Sequence, residues 1–204
     1  MNKKPIILVD MDDVLAEFTE EWLRRYNKDY NDTVTAEDFD GWDAMKHVKP
    51  ECGTKIFDYF KAPGIYRNLK PKAGSQEVIA ELTKLGAEII IVTDSPMGCT
   101  FGEENWNGSN PTDDKRAWLQ EHFPMIPFEN VIIARKKWLV KGDILIDDKP
   151  DTIEKFQSLG RKIIAMDMPY NRSVNAERRA LDWTEVRSIL LSEFYQDIKE
   201  VSSF

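Results

Sequence analysis

Apolar residues fall along this chain in two rhythms. Short continuous runs occupy residues 6–9, 88–93, 130–134, 143–147 and 161–166. Such runs, bounded by turn signals, read as strands buried on both faces. Between most of them the apolar positions recur at helical spacing, over 75–85, 112–123 and 152–159, while the third and fourth runs are joined by a short segment. A last helix is expected over about 183–198, with fraying beyond it. Thr112 reads as an N-cap followed by Asp113 and Asp114 in the first turn, and Gly86 and Gly160 stand where a C-terminal glycine belongs. Strands alternating with helices predict an α/β protein with a Rossmann-like, doubly wound, mainly parallel sheet.

Residues 16–70 break that alternation. They contain no convincing core strand, yet they hold ten of the chain's 22 aromatic residues in about a quarter of its length. The segment reads as an insertion after the first strand. Phe18, Trp22 and Tyr26 share one helical face, which predicts a small helical cap with its own core over 16–70, carried on an α/β core made of 1–15 and 71–204. Some of the rings are expected to line a pocket instead. There is no internal repeat, and the nearest approach to a biased tract is the Gly/Asn-rich stretch 102–111.

Composition narrows the function classes. Hydrophobic residues at 42% and charged residues at 31% are ordinary for a soluble domain. No apolar stretch approaches bilayer length, and the N-terminus runs into a strand without a signal-like segment, so a cytoplasmic protein with no membrane partner is expected. Cys52 and Cys99 are too few for a disulfide framework, and no Cys/His spacing suggests zinc. The net charge of −8 opposes a nucleic-acid duplex as partner. A small anionic substrate remains compatible if a metal ion and local cations such as Arg135, Lys136 and Lys137 offset the field. The oligomeric state stays open, a homodimer included.

The candidate chemistry lies at the strand ends. The first strand delivers Asp10, Asp12 and Asp13; the second ends in Thr93, Asp94 and Ser95; Lys137 follows the third; Asp147 and Asp148 close the fourth. In an open parallel sheet the carboxyl ends meet along one edge, where ligands bind. Side chains alternate along an extended strand, so Asp10 and Asp12 project to the same side and can share a metal ion or a phosphate. A hydroxyl, an ammonium and carboxylates able to hold Mg²⁺ are what binding and neutralising a phosphoryl group requires.

The order Asp-x-Asp, Thr, Lys, Asp-Asp resembles the four motifs of the haloacid dehalogenase-like phosphohydrolases. Residues 9–18 (VDMDDVLAEF), 62–69 (APGIYRNL), 92–96 (VTDSP) and 134–150 (ARKKWLVKGDILIDDKP) are together similar to the 5′(3′)-deoxyribonucleotidases within that superfamily. The resemblance implies a Mg²⁺-dependent phosphatase of (deoxy)nucleoside monophosphates working through an aspartyl-phosphate. It implies Asp10 as nucleophile, Asp12 as general acid and then base, and Mg²⁺ held by Asp10, the backbone carbonyl of Asp12 and Asp148, with Asp147 in support. It further implies Thr93 and Lys137 on the phosphoryl oxygens, Arg135 near the phosphate, and Phe18, Trp42 and Phe60 as an aromatic slot for a small-molecule nucleotide. Asp13 stands where vertebrate relatives have Gly, and Asp94 adds a residue before Ser95, which leaves the roles of Asp13, Asp94 and Ser95 open. Sugar or base preference and the choice of 5′ or 3′ phosphate are open too.

Three other readings remain at this point. A phosphatase of another small phosphate ester would share the core motifs and differ in the insertion. A receiver-type phospho-acceptor domain also combines acids, Thr and Lys on a doubly wound sheet, but there an acidic pair opens the chain and the acceptor comes from a later strand. A catalytically idle nucleotide binder would lack one of Asp10, Asp12, Lys137 or Asp148, and all four are present.

Overall fold

The computed structural model describes residues 4–96 and 110–201, with side chains through residue 194. Cys99 and most of the 102–111 stretch lie outside the described residues. Strands β1 (Ile6–Val9), β2 (Glu88–Thr93), β3 (Val131–Ile133), β4 (Ile144–Asp147), β5 (Ile163–Met166) and β6 (Arg179–Ala180) form one sheet in the order β3-β2-β1-β4-β5-β6. Every neighbouring pair is parallel. This is the Rossmann-like order, in which the chain leaves the central strand in one direction and returns to its other side, opening a crevice at the switch point. Register makes that crevice acidic: Val9 pairs with Ile91 and Ile146, and the Asp10 N–H donates to the Ile146 carbonyl at 3.0 Å, so Asp10 emerges beside Asp147. Strand β6, two residues long, is too short to leave a pattern in the sequence.

The helices are α1 (Phe18–Tyr30), α2 (Ser75–Lys84), α3 (Pro111–His122), α4 (Pro150–Ser158) and α5 (Trp183–Val201). Thr112 is not the cap of α3. The Asn110 side chain accepts the Thr112 N–H at 3.0 Å, and Pro111 takes the first helical position, where a missing N–H costs nothing. Pro150 starts α4 two residues earlier than the apolar spacing suggests, for the same reason. Gly86 and Gly160 follow α2 and α4 with φ of 93° and 65°, the left-handed conformation that a side chain disfavours. A break at Phe194 (φ −117°, ψ 17°) interrupts α5. Among the described residues no helix is long and apolar enough to cross a membrane.

Residues 16–70 contain one α-helix, α1, followed by 3-10 turns at Ala36–Asp38, Ala44–Lys46 and Gly53–Lys61. Phe18, Trp22 and Tyr26 are buried on the inner face of α1. They do not form a core of their own: they join Ile56 and Tyr66 in one continuous cluster with Ile7, Val9 and Met11 of the sheet side. So short a segment cannot enclose much apolar surface alone, and it buries its rings against the sheet. Specific polar bonds hold the irregular backbone: the Trp22 indole donates to the Ile56 carbonyl at 2.9 Å, and Asn27 bonds both the N–H and the C=O of Val34.

Candidate active site

The loop after β1 folds back tightly, with the N–H groups of Leu15 and Ala16 both donating to the Met11 carbonyl. It leaves Asp10, Asp12 and Asp13 at the carboxyl edge. Asp10, Asp147 and Asp148 are buried there, and one oxygen from each lies within 4.8 Å of the others. Lys137, at the start of the 3-10 turn Lys137–Leu139, places its Nζ 2.8 Å from Asp10 Oδ2 and 2.6 Å from Asp147 Oδ2. Burial works against the charge on Lys137, but the facing carboxylates of Asp10 and Asp147 outweigh it and hold the ammonium above its ordinary range. Asp147 also accepts the Lys149 N–H at 2.9 Å. Among the described residues no cation pairs with Asp148 in this way. Burial, then the charges of Asp147, Asp10 and Asp13, push its carboxyl well above the usual range.

Asp12 faces a second buried cation that the sequence reading missed. Lys115, fully buried on α3, donates to Asp12 Oδ2 at 2.7 Å, to Thr93 Oγ1 at 3.0 Å and to the Asp94 carbonyl at 2.5 Å. Its Nζ also lies 4.6 Å from the centre of the Tyr66 ring. Burial pushes Asp12 up to about 6, with Lys115 pulling the other way and Asp10 adding to the rise. A signal for Lys115 exists: it precedes Trp118 and Leu119 at helical spacing on the buried side of α3, where a lysine needs a partner. Thr93 is buried, and its hydroxyl faces Lys115 and the Asp94 carbonyl (3.2 Å) rather than the open cavity.

Five carboxylates, those of Asp10, Asp12, Asp13, Asp147 and Asp148, gather against the buried ammoniums of Lys115 and Lys137. Buried Asp10 Oδ1 and Asp12 Oδ1 have no hydrogen-bond partner among the described residues. An oxygen-only donor set with excess negative charge and orphaned oxygens fits a hard divalent cation. Asp147 has both oxygens engaged, one by Lys137 and the other by the Lys149 N–H, whereas Asp10 keeps one oxygen without a partner among the described residues.

Asp10, Asp12, Asp13 and Asp148 form the floor of a cavity of about 570 Å³, a size suited to a small-molecule ligand. Phe18, Trp42 and Phe60 line its wall, with Arg135, Asp94 and Ser95 also facing it. The three rings differ in their setting. Phe18 is buried, stacked on Tyr66 with centroids 5.3 Å apart, and Phe60 packs against it edge-on at 5.3 Å. Trp42 is 53% exposed, contacts Tyr170 edge-on at 5.2 Å and lies under the Lys149 ammonium. Asp13 takes a left-handed conformation, φ 53°, which glycine adopts at no cost. The Asp side chain is held there by the Thr19 N–H at 2.9 Å and the Thr19 hydroxyl at 2.5 Å.

Residues 4–194 match the model of the family described as 5′ nucleotidase, deoxy (Pyrimidine), cytosolic type C protein. The chain belongs to this family. A 5′(3′)-deoxyribonucleotidase of Clostridium acetobutylicum is 37% identical to it over 189 residues, covering 93% of this chain and 96% of the relative. One from Bacillus subtilis is 34% identical over 190 residues, covering 92% and 99%. Among solved structures, a haloacid dehalogenase family hydrolase of Deinococcus radiodurans, crystallised with bound phosphate and sodium, shares the fold at a TM-score of 0.58 and 14% identity, over 94% of this chain and 97% of that one. A haloacid dehalogenase-like protein of Agrobacterium tumefaciens does so at 0.59 and 11% identity, over 94% and 99%. Family membership makes the chain a phosphoric monoester hydrolase. The receiver-type alternative falls with it, since that fold runs 2-1-3-4-5 and this sheet runs β3-β2-β1-β4-β5-β6.

Proposed function

We propose that the protein is a cytoplasmic, Mg²⁺-dependent phosphatase that converts (deoxy)nucleoside monophosphates to nucleoside and phosphate, with residues 16–70 acting as the cap over its site. The observation that carries this reading is the union, in one cavity, of a buried carboxylate floor and an aromatic wall. Its relatives named 5′(3′)-deoxyribonucleotidases support the substrate class.

In the first half-reaction a carboxylate oxygen of Asp10 attacks phosphorus, and the bond from phosphorus to the nucleoside oxygen breaks. Asp12, its carboxyl raised by burial toward neutrality, gives the departing oxygen its proton. In the second, Asp12 takes a proton from water as that water attacks the phosphorus of the aspartyl-phosphate, releasing phosphate and regenerating the Asp10 carboxylate. Lys115 holds Asp12 in place through both steps. Lys137 orients Asp10 and offers its charge to the phosphoryl oxygens. Thr93 can join them by exchanging its long bond to the Asp94 carbonyl for a phosphoryl oxygen. Asp10, Asp148 and the Asp12 carbonyl would hold Mg²⁺, which when bound neutralises phosphoryl charge as a Lewis acid. Phe18, Trp42 and Phe60 offer flat apolar surface to a base, and stacking tolerates many ring types.

The test is phosphate release with Mg²⁺ across a panel of nucleoside monophosphates and sugar phosphates. Nucleotides are expected to dominate, and a chelator to abolish turnover. A preference for sugar phosphates would transfer the reading to the general small-ester phosphatase, and full turnover after confirmed metal removal would sink the mechanism.

A further inference from the structure

The 3-10 turn Pro169–Asn171 that follows β5 grips Asp148 twice. The Asn171 amide donates to the Asp148 backbone carbonyl at 2.6 Å and to the Met166 carbonyl at 2.8 Å. The buried Tyr170 hydroxyl lies 2.5 Å from Asp148 Oδ2 and 3.1 Å from Asp13 Oδ2. Asp13 already accepts both the N–H and the hydroxyl of Thr19. A phenol has one proton to give, and the shorter contact assigns it to Asp148.

The choice of a phenol has a physical consequence. A lysine or arginine at this place would orient Asp148 equally well, but its charge would repel a divalent cation a few ångströms away. Tyr170 supplies a hydrogen bond and no charge. The same residue meets the aromatic wall, because its ring receives Trp42 edge-on at 5.2 Å. Its turn is also joined to the insertion by the Arg172–Glu37 ion pair at 3.0 Å.

We propose, resting on the cation site of the preceding section, that Tyr170 is a positioning residue: its neutral hydroxyl fixes Asp148 for the cation, and its ring ties that carboxylate to Trp42. Groups that orient metal ligands in this way typically change metal affinity by about 10–100-fold when removed. The experiment is calorimetric titration of the full chain with Mg²⁺, without substrate, in wild type, Tyr170→Phe and Tyr170→Leu, with melting curves in the absence of metal to verify folding. Tyr170→Phe keeps the ring against Trp42 and is expected to weaken Mg²⁺ binding about 10–100-fold, with kcat recovering as Mg²⁺ is raised and KM for nucleotide little changed. Tyr170→Leu removes ring and hydroxyl together and is expected to raise KM as well. Mg²⁺ affinity unchanged in a folded Tyr170→Phe, with wild type binding normally, would overturn this inference alone. A wild-type chain that binds no Mg²⁺ would overturn the proposed metal site and the inference with it.

Discussion

The carboxyl edge of the sheet and the aromatic insertion meet in one cavity but are built on opposite principles. At the edge, short parallel strands place buried charges against one another: Lys137 sits between Asp10 and Asp147, and Lys115 against Asp12. Asp10, Asp12 and Asp147 are each constrained by an opposite charge in a poorly solvated setting, so position and electrostatics are inseparable there. In the insertion, irregular turns hold rings through packing and a few backbone bonds, and neighbouring rings differ in what they can do. Trp22 is buried among Phe18, Phe39 and Phe60 behind the cavity wall it helps to line, whereas Trp42 stands half open at the cavity. On the proposed mechanism the edge is expected to change little without losing the reaction, and the insertion to change its open rings and alter only what binds.

The sharpest way to break this contrast is at Asp10, the proposed nucleophile. Asp10→Asn keeps size and shape but removes the carboxylate proposed to attack phosphorus, and kcat is expected to fall by about 10⁴-fold or more while the far-ultraviolet spectrum is preserved. Retained turnover in a well-folded variant would place the nucleophile elsewhere. Next in size is Trp22→Ala, which empties a buried site and strands the Ile56 carbonyl. It is expected to cost about 3–5 kcal/mol in denaturant unfolding and to depress turnover of all substrates together.

Lys115→Met tests whether charges at the edge are held by each other. Removing the ammonium leaves Asp12 and Thr93 without their partner, an expected loss of about 3 kcal/mol, at the low end for buried pairs because the Asp12 side chain is 26% exposed. Lys115 pulls the Asp12 carboxyl down, so its loss lifts that carboxyl further. The double variant Lys115→Met with Asp12→Asn should then be more stable than Lys115→Met alone, since it removes the stranded charge. A double variant no more stable than the single one would show that Lys115 contributes packing and not pairing. Smaller again is Trp42→Ala. Base stacking of about 1–3 kcal/mol predicts a fall of about 5- to 150-fold in nucleotide turnover relative to a small non-nucleotide ester, with the melting temperature nearly unchanged. If both activities fall equally and melting drops, Trp42 is framework.

How far each region can be read from sequence follows from how local its determinants are. The strand ends at Asp10, Thr93 and Asp147 were legible because an apolar run and the polar residue that closes it are contiguous. Phe18, Trp22 and Tyr26 announced α1 by their spacing. Lys115 and Tyr170 carry no local signal of their partners: Lys115 meets Asp12 from 103 positions away, and Tyr170 reaches Asp148 from a short 3-10 turn that lies beyond the end of β5. The 3-10 turns of the insertion were folded into the idea of a helical cap, since short aromatic-rich stretches carry nearly the same spacing in either helix. The supposed separate cap core dissolved for a related reason: periodicity marks which face is apolar, not which neighbour covers it.

The smallest expected effect comes from a charge pair outside both regions, and it isolates what burial contributes at the edge. Arg187 on α5 forks onto Glu81 of α2, with both contacts at 2.6 Å, as short as Lys137 to Asp147. The geometry is as good, but Arg187 and Glu81 are solvated, and water and salt screen the attraction while side-chain entropy opposes it. The Arg187 bonds hold the Glu81 carboxyl below its ordinary range. A depressed carboxylate contributes stability above its unfolded value, and that contribution disappears as pH falls through the lower folded value. Arg187→Ala is therefore expected to lower the melting temperature slightly at pH 7, much less than Lys115→Met does, with the difference from wild type shrinking in high salt and vanishing in acid. Melting curves across pH at two salt concentrations measure this directly. A loss as large as that of Lys115→Met would mean that distance, and not burial, sets the value of an ion pair in this molecule, and the contrast between the edge and the rest of the surface would fail.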